Sequence, residues 1–205
     1  MIIYAATSNA GKLREMLLAS SEAGITHVHI QPLPGLRDLP APEEDGATFE
    51  ENARLKALYY SQYTEEPVLV EDSGLEVQAL DGAPGVRSAR FAGEATTDAE
   101  NNARLLEELK GISDRRARFV SVVVLARQGQ VLSVTRGTVE GQILEAPRGT
   151  QGFGYDPLFF FPALGCAFAE VPADRKFQVS HRGNALRSLF RNLDLGAERR
   201  EWFNG

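Results

Sequence analysis

Carboxylate side chains gather in two short segments of the chain. Residues 43–45 read Glu-Glu-Asp, and Glu71 and Asp72 follow the apolar residues 68–70. Acidic side chains at the end of a buried strand are costly unless they are paired or bind a metal, and hard oxygen ligands suit Mg²⁺. Because neighbouring strand residues point to opposite faces, we expect Asp72 to be the principal ligand or base. Glu71 would join only if the backbone bends, and a solvated loop is the simpler explanation of residues 43–45.

Cations stand at the start of two predicted helices. Lys12 falls in the first turn of one, and His181 and Arg182 follow Ser180 at the start of the other. The helix dipole disfavours a cation there unless a negative group lies nearby, while the free N–H groups of a helix start bind anions. Two such helices therefore favour an anionic ligand. An N-capped surface helix and an ordinary surface histidine are the alternatives.

A glycine-rich turn, residues 152–157, reads Gly-Phe-Gly-Tyr-Asp-Pro. Its glycines permit unusual backbone angles, and the proline restricts the preceding acid. A nucleobase could stack on an aromatic ring there while Asp156 accepts a ring N–H. A tight turn that leads into the apolar residues 158–161 is the alternative.

Asn52 and Lys56 lie four residues apart on a predicted helix and share one face. The amide and the ammonium group could therefore serve the same anion. An exposed polar stripe explains the pair equally well.

The elements that must position these residues are helices alternating with strands, which predicts an α/β fold with a mixed sheet. Thr48 and Glu51 form a T-x-x-E capping box, and Gln128-Gly129 separates two long apolar runs as a hairpin turn would. The predicted strands are 2–6, a short strand that contains His27 and His29, 68–70, 118–127 and 130–138. The predicted helices run from about residue 10 to Ala23 with Gly24 as the stop, from 48 to 63, from 97 to 110, and from 180.

Composition limits the class of protein. A chain of 205 residues with 43% hydrophobic content can bury one core, so we expect a single domain over residues 1–205. The net charge of −6 argues against nucleic-acid binding, which needs a basic surface. A single cysteine excludes an intramolecular disulfide, and the apolar run 1–6 is too short for a signal peptide or membrane span. We therefore expect a cytoplasmic protein with no membrane partner.

These segments, in this order, resemble the inosine triphosphate pyrophosphatase family, which removes non-standard purine nucleoside triphosphates. The matching segments are 7–12, 48–53 with Lys56, 71–75, 82–86, 88–90, 152–157, and Lys176 with 180–182. The resemblance implies an elongated, two-lobed α/β fold around a long twisted mixed sheet, with a central nucleotide-binding cleft. It also implies a homodimer that hydrolyses ITP, dITP and XTP to the monophosphate and pyrophosphate.

The resemblance also assigns roles to single residues. Glu44 and Asp72 would bind Mg²⁺, and Asp72 would accept a proton. The expected substrate contacts are Thr7, Ser8, Asn9, Ala10, Gly11, Lys12, Lys56, Ser73, Phe153, Gly154, Tyr155, Asp156, Lys176, His181 and Arg182. Glu43 and Asp45 lie close enough to Glu44 to leave the choice of the second ligand open.

The choice of base follows from hydrogen-bond donors. Arg182 can only donate and His181 can donate, so both suit the 6-oxo group of hypoxanthine or xanthine and oppose the 6-amino group of adenine. Guanine also carries a 6-oxo group, and no residue is identified that excludes it. A pyrophosphatase for other modified nucleotides and a nucleotide-sensing module without turnover are the alternative functions.

Overall fold

The computed structural model describes residues 1–22 and 28–199, the last six by their backbone alone. The predicted helix stop at Gly24 and the end of that helix at Ala23 lie outside the described residues. The helices are α1 (Ala10–Glu22), α2 (Phe49–Tyr60), α3 (Asp98–Glu108), α4 (Ala173–Val179) and α5 (His181–Arg199). The strands are β1 (Ile2–Ala5), β2 (His29–Pro32), β3 (Val68–Val77), β4 (Arg116–Arg127), β5 (Gln130–Ile143), β6 (Phe159–Phe161) and β7 (Cys166–Ala167).

The described strands form one open sheet in the order β2-β1-β3-β4-β5-β6-β7. β1 pairs in parallel with β2 and β3, whereas β5 with β6 and β6 with β7 pair antiparallel. The predicted α/β class with a mixed sheet is therefore confirmed. Gln128 and Gly129, which join β4 to β5, both have positive φ angles of 48° and 75°, as a tight two-residue turn requires.

β3 is longer than the sequence predicts. Its apolar start suggests a strand over residues 68–70, but the strand continues to Val77 and includes Glu71 and Asp72. Both acidic residues are buried. The strand can continue through them because each carboxylate has a cationic partner, so the cost of burial is offset within the protein.

Capping boxes begin two of the helices. Thr48 Oγ1 accepts from the Glu51 backbone N–H, and the Thr48 backbone N–H donates to the Glu51 carboxylate, as predicted for α2. Thr97 and Glu100 form the same pair of bonds at α3. Each box satisfies donors that a helix start would otherwise leave unpaired. No helix among the described residues combines the length and apolar character that crossing a bilayer requires.

The chain divides into two compact units, which are described separately. The first unit comprises Met1–Asp72, Ser121–Gly137 and the chain from Arg182, and the second comprises Ser73–Val120 and Thr138–His181. The core of the second unit contains the rings of Phe119, Phe159 and Phe168, whose centroids lie 4.5 to 6.1 Å apart. The single-domain assignment stays a prediction.

Candidate functional site

The first unit places one lysine between two carboxylates. Lys56 Nζ donates to Asp72 Oδ1 over 2.8 Å and to Glu44 Oε2 over 3.1 Å. The Lys56 side chain is 13% exposed and that of Asp72 is 10% exposed. Two carboxylates from separate elements, the acidic loop and β3, thus converge on a single cation.

Burial sets the proton affinities of this group. Burial raises the pKa of Asp72 above its ordinary value of 3.8, and this effect outweighs the attraction of the Lys56 ammonium group. Burial lowers the pKa of Lys56, but the charges of Asp72 and then Glu44 outweigh it and leave the pKa raised. A carboxylate with a raised pKa is a stronger base than an exposed one, which suits a proton acceptor.

Asn52 holds the acidic loop in place. Its Oδ1 accepts from the Gly46 backbone N–H over 2.8 Å, and its Nδ2 donates to the Gly46 carbonyl over 3.4 Å. A side chain at position 46 would collide with Asn52 and Glu51, so only glycine fits there. From the sequence, the Asn52 amide was a candidate to bind an anion. In the structure it bonds to Gly46 and so positions the loop that carries Glu44.

A second charged group in the first unit is centred on Arg182. Its Nε donates to Glu71 Oε1 over 2.8 Å and its Nη1 donates to Glu15 Oε2 over 2.6 Å. Ser121 Oγ also donates to Glu71 Oε1, over 2.8 Å, and Lys12 Nζ lies 3.4 Å from Glu71 Oε2. The Arg182 side chain is 2% exposed and that of Glu71 is fully buried.

Glu71 is held ionised by these neighbours. Burial raises its pKa, but Arg182 and then Lys12 outweigh this effect and keep the pKa of Glu71 well below its ordinary value of 4.5. Burial lowers the pKa of Arg182, yet the charges of Glu71 and Glu15 leave it raised. Glu71 therefore pairs with Arg182 and Lys12 and not with Lys56.

The first helix start is exposed and capped. Asn9 Oδ1 accepts from the Lys12 backbone N–H over 3.0 Å, and the Asn9 backbone N–H donates to Thr7 Oγ1 over 3.2 Å. Ser8, Asn9 and Ala10 are exposed, whereas Lys12 is partly buried and faces Glu71. A backbone segment of this kind can still receive an anion through its N–H groups.

The glycine-rich turn lies in the second unit and is built around Asp156. Asp156 Oδ2 accepts from Lys176 Nζ over 2.5 Å and from the Phe153 backbone N–H over 2.9 Å. The Lys176 ammonium group lies 5.0 Å from the centre of the Phe153 ring, a cation–π distance. A side chain at position 152 would collide with the Asp156 carboxylate, and Gly152 has a φ of 75°.

Only one aromatic ring of this turn is accessible. Tyr155 is 4% exposed and its hydroxyl donates to the Ser88 carbonyl over 2.8 Å, so its ring belongs to the core. Phe153 is partly exposed. If a base stacks here, it stacks on Phe153. Asp156 is 1% exposed and already accepts two internal hydrogen bonds, which makes it a structural anchor of the turn.

The remaining predicted residues fall in both units. Lys12, Lys56, Glu44, Asp72 and Arg182 belong to the first unit, and Ser73, Lys176 and His181 belong to the second. His181 is buried, and its ring stacks on Phe119 with centroids 4.7 Å apart. Glu43 and Asp45 are exposed, whereas Glu44, like Asp72, accepts a hydrogen bond from Lys56.

Glu15 and Ser121 contact the charged group of Arg182 and Glu71, but they were not identified from the sequence. Glu15 lies three residues after Lys12 on α1, and Met16 and Ala19 are buried beside it. An acidic residue on the apolar face of a helix, one turn from a lysine, is a signal that could have found it. Ser121 gave a weaker signal, since it is a lone polar residue within the apolar run of β4.

The protein offers a metal ion two carboxylates rather than a complete set of ligands. No group of three or more His, Cys, Asp or Glu side chains is placed to hold an ion within residues 1–22 and 28–199. Mg²⁺ commonly uses one or two protein carboxylates and takes its other ligands from water and substrate phosphates. Glu44 and Asp72, which already converge on the Lys56 ammonium group, fit that requirement.

Comparisons with known proteins agree on one family. The Ham1 family model matches residues 3–192. A dITP/XTP pyrophosphatase of Acidobacterium capsulatum is 48% identical over 202 residues, covering 94% of this chain and 98% of the relative. One from an Exiguobacterium species is 50% identical over 190 residues, covering 92% and 95%. The solved structure of a HAM1 protein from Coxiella burnetii matches with a TM-score of 0.86 at 38% identity, covering 95% and 99%.

Proposed function

Because the chain belongs to the Ham1 family, we propose that it hydrolyses dITP, ITP and XTP to the nucleoside monophosphate and pyrophosphate. Relatives at 48% and 50% identity carry the name dITP/XTP pyrophosphatase, and the matches cover almost the whole chain. The structural observation that carries the proposal is the convergence of Glu44 and Asp72 on Lys56, with the charge of a second cation of the same unit, Lys12, also acting on Asp72. Paired acids and cations of this kind suit phosphoanhydride hydrolysis.

In this proposal Asp72 is the base. It accepts a proton from the water that attacks the α-phosphorus, and its burial, which outweighs the opposing charge of Lys56, raises its affinity for that proton. The bond between the α-phosphorus and the bridging oxygen breaks, and pyrophosphate leaves. Lys12 and Lys56 offset the negative charge that grows on the leaving group. The backbone N–H groups at the start of α1 bind phosphate oxygens.

Magnesium completes this chemistry, and Glu44 and Asp72 are the residues that would hold it. When bound, Mg²⁺ neutralises phosphate charge and polarises the phosphoanhydride. Lys56 contacts both carboxylates, so it keeps them together and limits their mutual repulsion. Asn52 contributes by fixing Gly46, two residues from Glu44.

The nucleobase is recognised by the glycine-rich turn and by the residues at the start of α5. Phe153 offers the accessible ring of the glycine-rich turn, and Lys176 fixes that ring through the cation–π contact. The resemblance assigns to His181 and Arg182 the donors for the 6-oxo group of hypoxanthine or xanthine, which adenine lacks. Both side chains are buried, and Arg182 also donates to Glu71 and Glu15. The proposal includes a homodimer, as the resemblance implies, and the cytoplasmic location that the composition favours.

The test is a panel of nucleotides with product identification. The purified protein is incubated with Mg²⁺ and dITP, ITP, XTP, dATP or dGTP, and pyrophosphate and nucleotide products are quantified. The proposal requires equal amounts of monophosphate and pyrophosphate from dITP, ITP and XTP. Equal hydrolysis of dATP would refute the donor argument for base choice, and binding of dITP without any product would favour a sensing module.

A further inference from the structure

Two side chains of α3 hold both polar backbone groups of a single residue, Gly154. Asp98 Oδ2 accepts from the Gly154 backbone N–H over 2.6 Å, and Asn102 Nδ2 donates to the Gly154 carbonyl over 2.9 Å. All three residues belong to the second unit. Asp98 and Asn102 lie four residues apart, so they present their side chains on the same face of α3.

This pair of bonds fixes the orientation of the turn. The N–H of Gly154 belongs to the peptide plane shared with Phe153, and its carbonyl belongs to the plane shared with Tyr155. Holding both groups therefore fixes the two planes on either side of Gly154. The residue has a φ of 63°, in the left-handed region that glycine adopts as readily as others, so the backbone of Gly154 does not by itself select this conformation.

α3 is itself held in place by capping and by burial. Its capping box ties down the first turn, and Leu105 and Leu109 are fully buried against the core of the second unit. Asn101, next to Asn102, accepts from the Ala92 backbone N–H over 2.9 Å and donates to the Ala89 carbonyl over 3.2 Å. The helix thus anchors the segment around residues 89–92 as well as the glycine-rich turn.

The first unit contains a similar arrangement. There Asn52 of α2 captures both polar backbone groups of Gly46 and so positions the loop of Glu44. In both units a buried asparagine on a capped helix holds a loop glycine of a predicted site segment. Gly46 lies two residues from the predicted metal ligand Glu44, and Gly154 is itself a predicted substrate contact. In the second unit the task is shared with Asp98.

We propose that Asp98 and Asn102 are positioning residues that hold the Phe153–Asp156 turn ready for the nucleobase. The inference rests on the proposed function, since it takes that turn to be the base contact. Without the two bonds the turn samples other conformations. The apparent affinity for the nucleotide then falls in proportion to the fraction of molecules whose turn is in the binding conformation. The bonds from Asp98 and Asn102 both end on Gly154, so we expect the chemical step at Asp72 and Lys56 to keep its rate.

The experiment compares three substitutions on α3. Asp98→Ala removes the acceptor, Asp98→Asn keeps an acceptor oxygen but removes the charge, and Glu108→Ala breaks only the surface pair with Arg104 at the other end of the helix. For Asp98→Ala we expect the KM for dITP to rise about tenfold with kcat changed less than about threefold. Asp98→Asn should recover most of the affinity, and Glu108→Ala should match the unmodified protein.

Inorganic tripolyphosphate supplies a probe that has no base. Its inhibition constant should stay within about twofold of the original in Asp98→Ala, because only the base contact is disturbed. Asn102→Ala, measured after its folding is checked by thermal unfolding, should raise the KM in the same way. An unchanged KM in both variants, or equal weakening of dITP and tripolyphosphate, would overturn the inference. Absence of dITP hydrolysis in the unmodified protein would instead refute the proposed function.

Discussion

Arg182 and Glu71 form a buried ion pair in which Nε donates to Oε1 over 2.8 Å. Glu71 also faces Lys12, so one internal carboxylate lies beside the cations that begin both α1 and α5. Cations at these positions are unfavourable for the helix dipole, and the sequence interpretation attributed them to an anionic ligand. The structure supplies part of that negative charge from within the protein. The group of Glu44, Asp72 and Lys56 therefore indicates a phosphate site more strongly than the two helix starts do.

Replacing Glu71 tests the energetic role of this pair. We expect Glu71→Gln to lower the free energy of unfolding at pH 7 by about 3–5 kcal/mol, because it leaves Arg182 without one of its buried partners. Urea unfolding followed by circular dichroism measures the difference. Glu43→Gln removes the same charge from an exposed position and should change stability by less than about 0.5 kcal/mol.

The stability difference should also depend on pH. Because folding lowers the pKa of Glu71, its stabilising effect is complete above the ordinary value of 4.5 and is lost as the pH falls towards the folded-state pKa. Below pH 4.5 the unmodified protein loses up to about 1.4 kcal/mol per pH unit through this group. The gap between the unmodified protein and Glu71→Gln should therefore narrow from pH 7 to pH 3. A constant gap would show that Glu71 is not held ionised by Arg182.

Asp72→Asn should stop turnover while leaving the fold intact. The amide cannot accept the proton from water, and loss of a general base costs about 10² to 10⁴-fold in kcat. Pyrophosphate release from dITP measures the effect, and the melting temperature checks the fold. Asp45→Asn, an exposed acid of the nearby loop, is the control and should keep full activity. Undiminished turnover in Asp72→Asn would remove this residue from the chemistry.

Glu44 and Glu43 offer a matched test of the metal site. The two are neighbours in sequence, but Glu44 contacts Lys56 and Glu43 is exposed. We expect Glu44→Gln to raise the Mg²⁺ concentration for half-maximal activity at least about tenfold, and Glu43→Gln to leave it unchanged. Treatment with EDTA should abolish hydrolysis, and added Mg²⁺ should restore it. If both variants respond alike to Mg²⁺, Glu44 is not the ligand.

Gly74→Ala should destabilise the second unit. A side chain at this position would collide with Ser88 Oγ and the Gly85 carbonyl. Ser88 Oγ cannot move aside without cost, because it donates to that carbonyl over 2.6 Å and accepts from the Leu75 backbone N–H over 2.9 Å. We expect a loss of about 1–3 kcal/mol in the free energy of unfolding. An unchanged urea midpoint would mean that this glycine is not required by packing.

Local sequence patterns predicted much of the fold. Thr48 with Glu51 gave the start of α2, and Gln128-Gly129 gave the turn between β4 and β5. The helix predicted from residue 97 is present as α3, and the one predicted from 180 begins at His181. Each of these signals depends on residues within one or two turns of each other, so it can be recognised without knowing the tertiary structure.

The contacts within the site could not be predicted in this way. Arg182 lies 111 residues from Glu71 and 167 residues from Glu15 along the chain, so no local period connects them. For the same reason the sequence placed Glu71 at the end of a strand without a partner. In the structure it lies within β3, and Arg182 of α5 and Lys12 of α1 neutralise its charge. Tyr155 and Phe153 are both aromatic and two residues apart, and only packing against Ser88 shows which ring is buried.

The bond that water breaks is tested most directly by hydrolysis of dITP in ¹⁸O-enriched water with Mg²⁺, followed by mass spectrometry of both products. Attack on the α-phosphorus predicts dIMP with one labelled oxygen and unlabelled pyrophosphate. Label in the pyrophosphate, or formation of dIDP and labelled orthophosphate, would contradict the account.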